Sequence, residues 1–141
     1  MPIRSLRSVV SGQTPLLVPA TLTVTETARR MRQRNFGAAM VVEDARLVGI
    51  FTERDALFRV LAERRDAHVT PVGEVMTRDP QSLHPDRPFD EALRVMHEGR
   101  FRHVPVVEDG RPLGMVSVRD ALDEDFREAR EALELREIPR D

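Results

Sequence analysis

Apolar residues along this chain fall into two rhythms that alternate. Val24, Ala28 and Met31 recur at spacings of four and three, and Phe89, Ala92, Leu93 and Met96 make a similar stripe further on. Such spacing lines up one face of a helix. Thr23 followed by Glu26 supplies a capping-box start for the first helix. Pro88 stands near the start of the second, where a missing N–H costs little. A short extended stretch precedes each helix, at 16–18 and at 82–84. Two apolar segments follow each helix, split by Glu-Asp-Ala-Arg at 43–46 and Glu-Asp-Gly-Arg at 108–111. Asp109-Gly110 is a strong hairpin-turn signal. A further helix begins near Thr52, and again near Ser117.

The pattern β-α-β-β-α is therefore written twice, and the residues repeat with it. VVEDARLVGIFTERDAL (41–57) lies over VVEDGRPLGMVSVRDAL (106–122) without a gap, with ten positions identical. At the same offset Phe36 lies over Phe101, Met31 over Met96, Arg29 over Arg94, Glu26 over Glu91 and Pro15 over Pro80. An internal repeat of this length means two copies of one supersecondary unit. A unit of about 60 residues buries little surface alone, so the copies should pack on each other in a pseudo-two-fold pair, with paired clefts at the junction. The expected fold is α+β: repeat one over 5–62, a linker over 63–69, repeat two over 70–125 and a helical extension over 126–141.

Composition narrows the chemistry. The 141 residues are 40% hydrophobic and 33% charged, with no apolar run long enough to cross a membrane. The start, MPIRSLRSVV, lacks the apolar core of a signal peptide, so a cytoplasmic location and no membrane insertion are expected. There is no Cys, hence no disulfide or thiolate chemistry. A net charge of −2 argues against a nucleic-acid partner. All 22 basic residues are Arg, which removes a P-loop lysine and any Schiff-base lysine. His68, His84, His97 and His103 match no zinc-ligand spacing, and no nucleophile elbow is present. No metal and no catalytic residue is expected, and the chain is read as a non-enzyme.

GIFTERD (49–55) and GMVSVRD (114–120) carry the remaining chemistry. In each, a hydroxyl (Thr52, Ser117) is followed three residues later by a carboxylate (Asp55, Asp120) at a strand-to-helix turn. A hydroxyl at the N-cap and an acid at N3 satisfy orphan N–H groups, so both pairs read as helix caps. They also read as a ligand site. Gly49 and Gly114 sit in strands, where glycine gains nothing unless something approaches the backbone closely. Arg102-His103 stands at the mouth of a strand, and helix start, hydroxyl and basic side chains together make a phosphate seat. A carboxylate beside that seat suits the vicinal hydroxyls of a ribose. With an apolar slot for a base, the set describes a nucleoside phosphate.

VMT (75–77), RFRHVPVVEDG (100–110) and GMVSVRD (114–120) resemble a tandem pair of cystathionine-β-synthase (CBS) domains, a Bateman module, and the resemblance covers nearly the whole chain. The resemblance implies β-α-β-β-α repeats and binding of adenosine-containing ligands (AMP, ADP, ATP, NAD or S-adenosylmethionine) between them. It gives Thr52 and Ser117 to phosphate and Asp55 and Asp120 to ribose. Phe36, Gly37 and Ala38 in one copy, and Phe101, Arg102 and His103 in the other, would line base and phosphate. Thr77 and Ser82 would touch the base, and Ile50 and Met115 would wall it. The first copy departs from the pattern: VVSGQ (9–13) replaces V-M-T, and GAAMVV (37–42) lacks the Arg-His pair, leaving Arg54 and Arg119 as candidate phosphate contacts.

Two charged features complete the picture. RRMRQR (29–34) reads as a solvated helix face or a dock for an acidic partner. In the last helix Leu122, Phe126, Ala129 and Leu133 form a narrow apolar seam suited to docking on its own module or a twin subunit. The expected protein is a homodimeric regulatory module that binds an adenosine compound, requires no cofactor, and signals to a regulated protein by a shift between conformations. The alternative is a dimerising scaffold with degenerate sites.

Overall fold

The computed structural model describes residues 4–136, so the helical extension is followed to Arg136 and 137–141 lie outside the described residues. The first repeat contains α1 (Leu6–Val10), β1 (Leu17–Pro19), α2 (Val24–Arg34), β2 (Ala38–Glu43), β3 (Arg46–Thr52) and α3 (Glu53–Asp55, continued by a π-helical segment Ala56–Leu61). A 3-10 turn (Val72–Glu74) leads to β4 (Thr77–Arg78), α4 (Phe89–Gly99), β5 (His103–Glu108), β6 (Arg111–Ser117) and α5 (Val118–Arg136). The mixed α+β reading holds.

Local chemistry sets the boundaries. Thr23 caps α2 by accepting from the Glu26 N–H at 3.2 Å. Asn35 and Arg100 end α2 and α4 at equivalent places in the left-handed region, φ 54° and 58°. Both hairpins turn on two residues with positive φ: Asp44 and Ala45 (50° and 65°), Asp109 and Gly110 (53° and 81°). Positive φ at both central positions matches the twist of the flanking strands. The register shifts at equivalent points too, between Val41 and Val42 and between Val106 and Val107.

Two expectations change in detail. Ala28 is exposed, and the buried stripe of α2 runs through Val24, Thr27 and Met31. Thr27 can be fully buried because its hydroxyl donates to the Thr23 carbonyl at 2.8 Å. The stretch at 82–84 forms a single parallel bridge, Leu83 to Val106, rather than a strand.

Each core is completed by a segment from the other repeat. Val72, Val75 and Met76 precede the second repeat's own elements, yet they are buried with Val18, Val41 and Phe51 of the first. Leu6 and Val10 of α1 are buried with Phe89, Val104 and Val116 of the second. β4 is the edge strand of the first repeat's sheet, order β1-β2-β3-β4, pairing Gly49 with Arg78 and Ile50 with Thr77. The counterpart beside β6 is a single side chain. Gln13 donates to the Met115 carbonyl at 3.1 Å and accepts from the Met115 N–H at 3.0 Å, imitating a strand partner.

This exchange accounts for the strand glycines. A Cβ at Gly49 would lie 2.9 Å from Met76 Cγ, and one at Gly114 would lie 2.7 Å from Val10 Cβ. The close approach inferred from the sequence is real, but the approaching groups are the exchanged segments rather than a ligand. Gly49→Ala should therefore cost about 1–3 kcal/mol through overpacking, read as a drop of several degrees in Tm by differential scanning calorimetry.

Candidate functional site

Each repeat ends a strand with a hydroxyl that opens a helix. Thr52 accepts from the Asp55 N–H at 3.2 Å, and Asp55 Oδ2 accepts from the Thr52 N–H at 3.0 Å and its hydroxyl at 3.1 Å. That is a complete capping box. At the second repeat Asp120 Oδ2 accepts from the Ser117 N–H at 2.7 Å and its hydroxyl at 3.4 Å.

The two carboxylates then differ. Asp55 is 7% exposed. Its Oδ1 accepts from the Thr77 hydroxyl at 3.2 Å and pairs with Arg59 Nε at 3.4 Å. Thr77 thus joins the first repeat's motif rather than the second's, because the exchange carries β4 across. Asp120 is half-buried, and among the described residues no donor is placed on its Oδ1.

His103 lies opposite Ser117 in the register of β5 and β6, which puts the strand mouth beside the Ser117–Asp120 motif. Its ring also reaches the first repeat: a Cβ at Gly37 would lie 3.3 Å from His103 Nε2 and would collide with the Glu53 carboxylate. Gly37 is therefore where the two mouths meet. Burial pushes the His103 pKa below its usual 6.5, and Arg102 pushes it the same way, while Glu53 and Asp120 pull it up.

The other expected residues scatter around this junction. Arg54 donates to the Arg100 carbonyl at 3.3 Å, crossing between repeats, and stacks over Phe58 at 5.4 Å. Arg102 and Arg119 are exposed. Phe36 is 41% exposed, with the Arg34 guanidinium 4.7 Å above its ring. Ala38 and Ile50 are buried in the first sheet, and Phe101 packs against the second core. Met115 is half-buried and held by Gln13, and Ser82 is exposed. A depression of ≈ 700 Å³ bounded by Met96, His97, Arg100, Phe101 and Arg102 lies beside the mouth but includes neither Ser117 nor Asp120.

Three residues that the sequence reading did not single out matter here: Arg59, Glu53 and Gln13. Arg59 is four residues beyond Asp55 on the same helix, a spacing that brings side chains together. Gln13 lies over Arg78 at the repeat offset, so the alignment of copies was its signal. Glu53 lies inside GIFTERD with Val118 as its counterpart. Its proximity to His103 depends on how the repeats face each other.

Comparisons with known proteins agree with this architecture. The CBS domain family profile matches residues 7–62 and 72–127. An Arabidopsis thaliana CBS domain-containing protein, CBSCBSPB1, is 40% identical over 116 residues, which is 81% of this chain but 21% of the relative. The chain thus spans about a fifth of the length of that relative and of the similar CBSCBSPB proteins it matches. YhcV of Bacillus subtilis is 34% identical over 116 residues, covering 82% of this chain and 81% of its own. The CBS domain pair of protein MJ0100, solved with 5-methylthioadenosine and S-adenosyl-L-methionine, superposes with a TM-score of 0.81 at 26% identity, covering 90% of this chain and 99% of that one. A Pyrobaculum aerophilum CBS domain protein complexed with AMP superposes at 0.75 with 26% identity, over 83% and 89%. With both matched segments lying on the two β-α-β-β-α units, the chain belongs to the CBS domain family and carries the domain twice in tandem.

Proposed function

We propose that this chain is a non-catalytic regulatory module whose second-repeat site binds an adenosine-containing ligand, with Asp120 taking the ribose diol. The observation that carries this reading is the contrast between the two carboxylates. Asp55 already accepts from Thr52 and Thr77 and pairs with Arg59, so a ribose would have to displace internal partners. Asp120 has only its Oδ2 engaged among the described residues, by the Ser117 N–H and hydroxyl at the start of α5, which leaves Oδ1 for an incoming hydroxyl. His103 and Arg102 supply phosphate contacts, and Met115 and Phe101 supply apolar surface. Relatives solved with AMP and with S-adenosyl-L-methionine support the ligand class. In this reading Thr52 and Asp55 act chiefly as a structural tie to β4. The module works in the cytoplasm as a homodimer, since Leu57, Phe58 and Leu61 on α3 and Leu122, Phe126 and Leu133 on α5 are exposed. Ligand favours one arrangement of the repeats, and a regulated protein reads the difference.

Thermal scanning with AMP, ADP, ATP, NAD and S-adenosylmethionine tests this directly. A ligand at a hundredfold excess over Kd adds about 2.7 kcal/mol, a rise on the order of 5–10 °C in Tm for a chain of this size. The 2′-deoxy analogue should give a much smaller rise, because half of the diol acceptor is left unpaired. No shift with any compound would leave both motifs as helix caps and favour the scaffold reading.

Removing the acceptors should rank the sites. Asp120→Ala should weaken binding by roughly 1.5–3 kcal/mol in titration calorimetry. Asp55→Ala should affect affinity less and Tm more.

A pH dependence should follow from His103. Its folded pKa is below 6.5 when free, and a phosphate beside the ring would raise it in the complex. Binding then takes up a proton, so affinity rises as pH falls through the window between those two values. Phosphate protonation is common to wild type and His103→Gln, so the difference between their titrations at pH 5.5 and 7.5 isolates the ring. Identical pH slopes would remove His103 from the phosphate site.

A further inference from the structure

We propose that the carboxamide of Gln13 holds the place of the ligand's base, and that a 6-aminopurine displaces it from the Met115 backbone. This rests on the reading of the Ser117–Asp120 site given above and names the group that selects its base. Gln13 makes both of its side-chain bonds to one residue: its NH2 donates to the Met115 carbonyl at 3.1 Å, and its oxygen accepts from the Met115 N–H at 3.0 Å. A donor beside an acceptor on one flat edge is also what adenine presents, because its 6-amino group donates and the ring nitrogen next to it accepts. A 6-oxopurine carries an acceptor at position 6. It meets the two Met115 groups only if the base is turned end for end, away from a sugar held on Asp120.

The fold leaves this edge to a side chain. Met115 lies opposite Pro105 in the register of β5 and β6, and a proline has no N–H to give. Both polar groups of Met115 point away from β5, as their bonds to Gln13 require. Ile50 stands at the equivalent place in the first repeat, and there the edge is closed by backbone, since Thr77 of β4 pairs with it. In the second repeat Gly12 replaces that threonine, and the exposed side chain of Gln13 closes the edge instead.

That closure is easy to open. The Gln13 backbone N–H bonds to the Val10 carbonyl at 2.9 Å, so the main chain stays tied to α1 while the amide rotates away. Gly12 before it has open space around it. The place left behind also suits a flat group: a Cβ at Gly114 would lie 2.6 Å from Gln13 Oε1, so the amide lies where glycine leaves the strand bare. Met115 precedes Ser117 by two residues, about 7 Å along a strand, within reach of a base whose ribose is on Asp120. Trading two hydrogen bonds for two costs little when the edges match, whereas a mismatched edge leaves both Met115 groups unpaired. Gln13 thus sets a threshold that a base passes by offering the same two groups.

The test compares AMP with IMP and ATP with ITP, pairs that differ only at position 6 and the adjacent N1, by titration calorimetry. In parallel, nuclear magnetic resonance follows the Gln13 side-chain NH2 of isotope-labelled protein, its signal identified by its loss in Gln13→Ala, during titration with AMP, ATP, NAD and S-adenosylmethionine. The adenine member of each pair should bind at least about tenfold more tightly than its 6-oxo counterpart. Adenine compounds that bind should move the Gln13 signal to the position of a free amide. Gln13→Ala should bind its adenine ligand about threefold to tenfold more tightly than wild type, because the internal competitor is gone, whereas a merely structural glutamine would give no gain. Equal affinity within the pairs, binding that leaves the Gln13 signal in place, or no gain in Gln13→Ala overturns the displacement while leaving the ligand site standing. A wild-type chain that binds none of the adenine compounds overturns the site reading, and the displacement with it.

Discussion

The structure depends on an exchange of short apolar segments between two copies of one unit. Val72, Val75 and Met76 fill the first core, and Leu6 and Val10 fill the second. A unit of this size buries too little apolar surface to hold itself together, so neither core is complete until the other repeat lends its opening segment. The geometry of the junction follows. Thr23 bridges to Pro71 and Ser5 bridges to Pro88, so each α2- or α4-type helix starts against the segment supplied by its neighbour. Met76 lies across Gly49, and Val10 across Gly114, so each exchanged segment sits as close to the sheet it completes as a missing side chain permits. The two hairpins also meet directly, where the Leu47 N–H donates to the Gly110 carbonyl at 2.9 Å.

The polar site is built on that exchange. Thr77 reaches Asp55 only because β4 crosses to the first sheet, so a hydroxyl that the sequence places in the second repeat becomes a partner of the first repeat's carboxylate. On the other side no equivalent hydroxyl exists. The offset places Gly12 where Thr77 stands, and the edge is completed by the amide of Gln13. Duplication therefore made two similar motifs, and the exchanged segments made them unequal. One carboxylate is closed by internal donors, and on the other Oδ1 meets no donor among the described residues.

Much of this was legible in the chain. Period and turn chemistry located the helices and hairpins, because Asp109-Gly110, Thr23 and the apolar stripes act locally. The repeat itself was plain from 41–57 over 106–122. The exchange was not legible, since a segment such as Val72–Glu74 completes an apolar surface equally well in either repeat. The strand glycines showed that something lies close to the backbone, but not what. Thr27 was hidden for a different reason: its hydroxyl is satisfied by a carbonyl one turn back, so a polar residue occupies an apolar position.

The residues at the junction also suggest how occupancy of one site is felt by both repeats. His103 belongs to the second repeat, yet its ring lies beside Gly37 and near Glu53 of the first. A phosphate drawn to Arg102 and His103 would approach Glu53 as well, and the repulsion between carboxylate and phosphate is relieved if the mouths part or the His103 ring is protonated. Val118, the counterpart of Glu53, offers no such response, so this coupling would run through one side of the pseudo-two-fold axis. Under the proposed function, asymmetry of this kind would convert binding into a relative movement of the repeats, because a ligand shifts an equilibrium only by interacting differently with its two states. α5 begins at Val118, directly after Ser117 of that site, so under the proposed function it would carry such a movement along its length to the exposed seam.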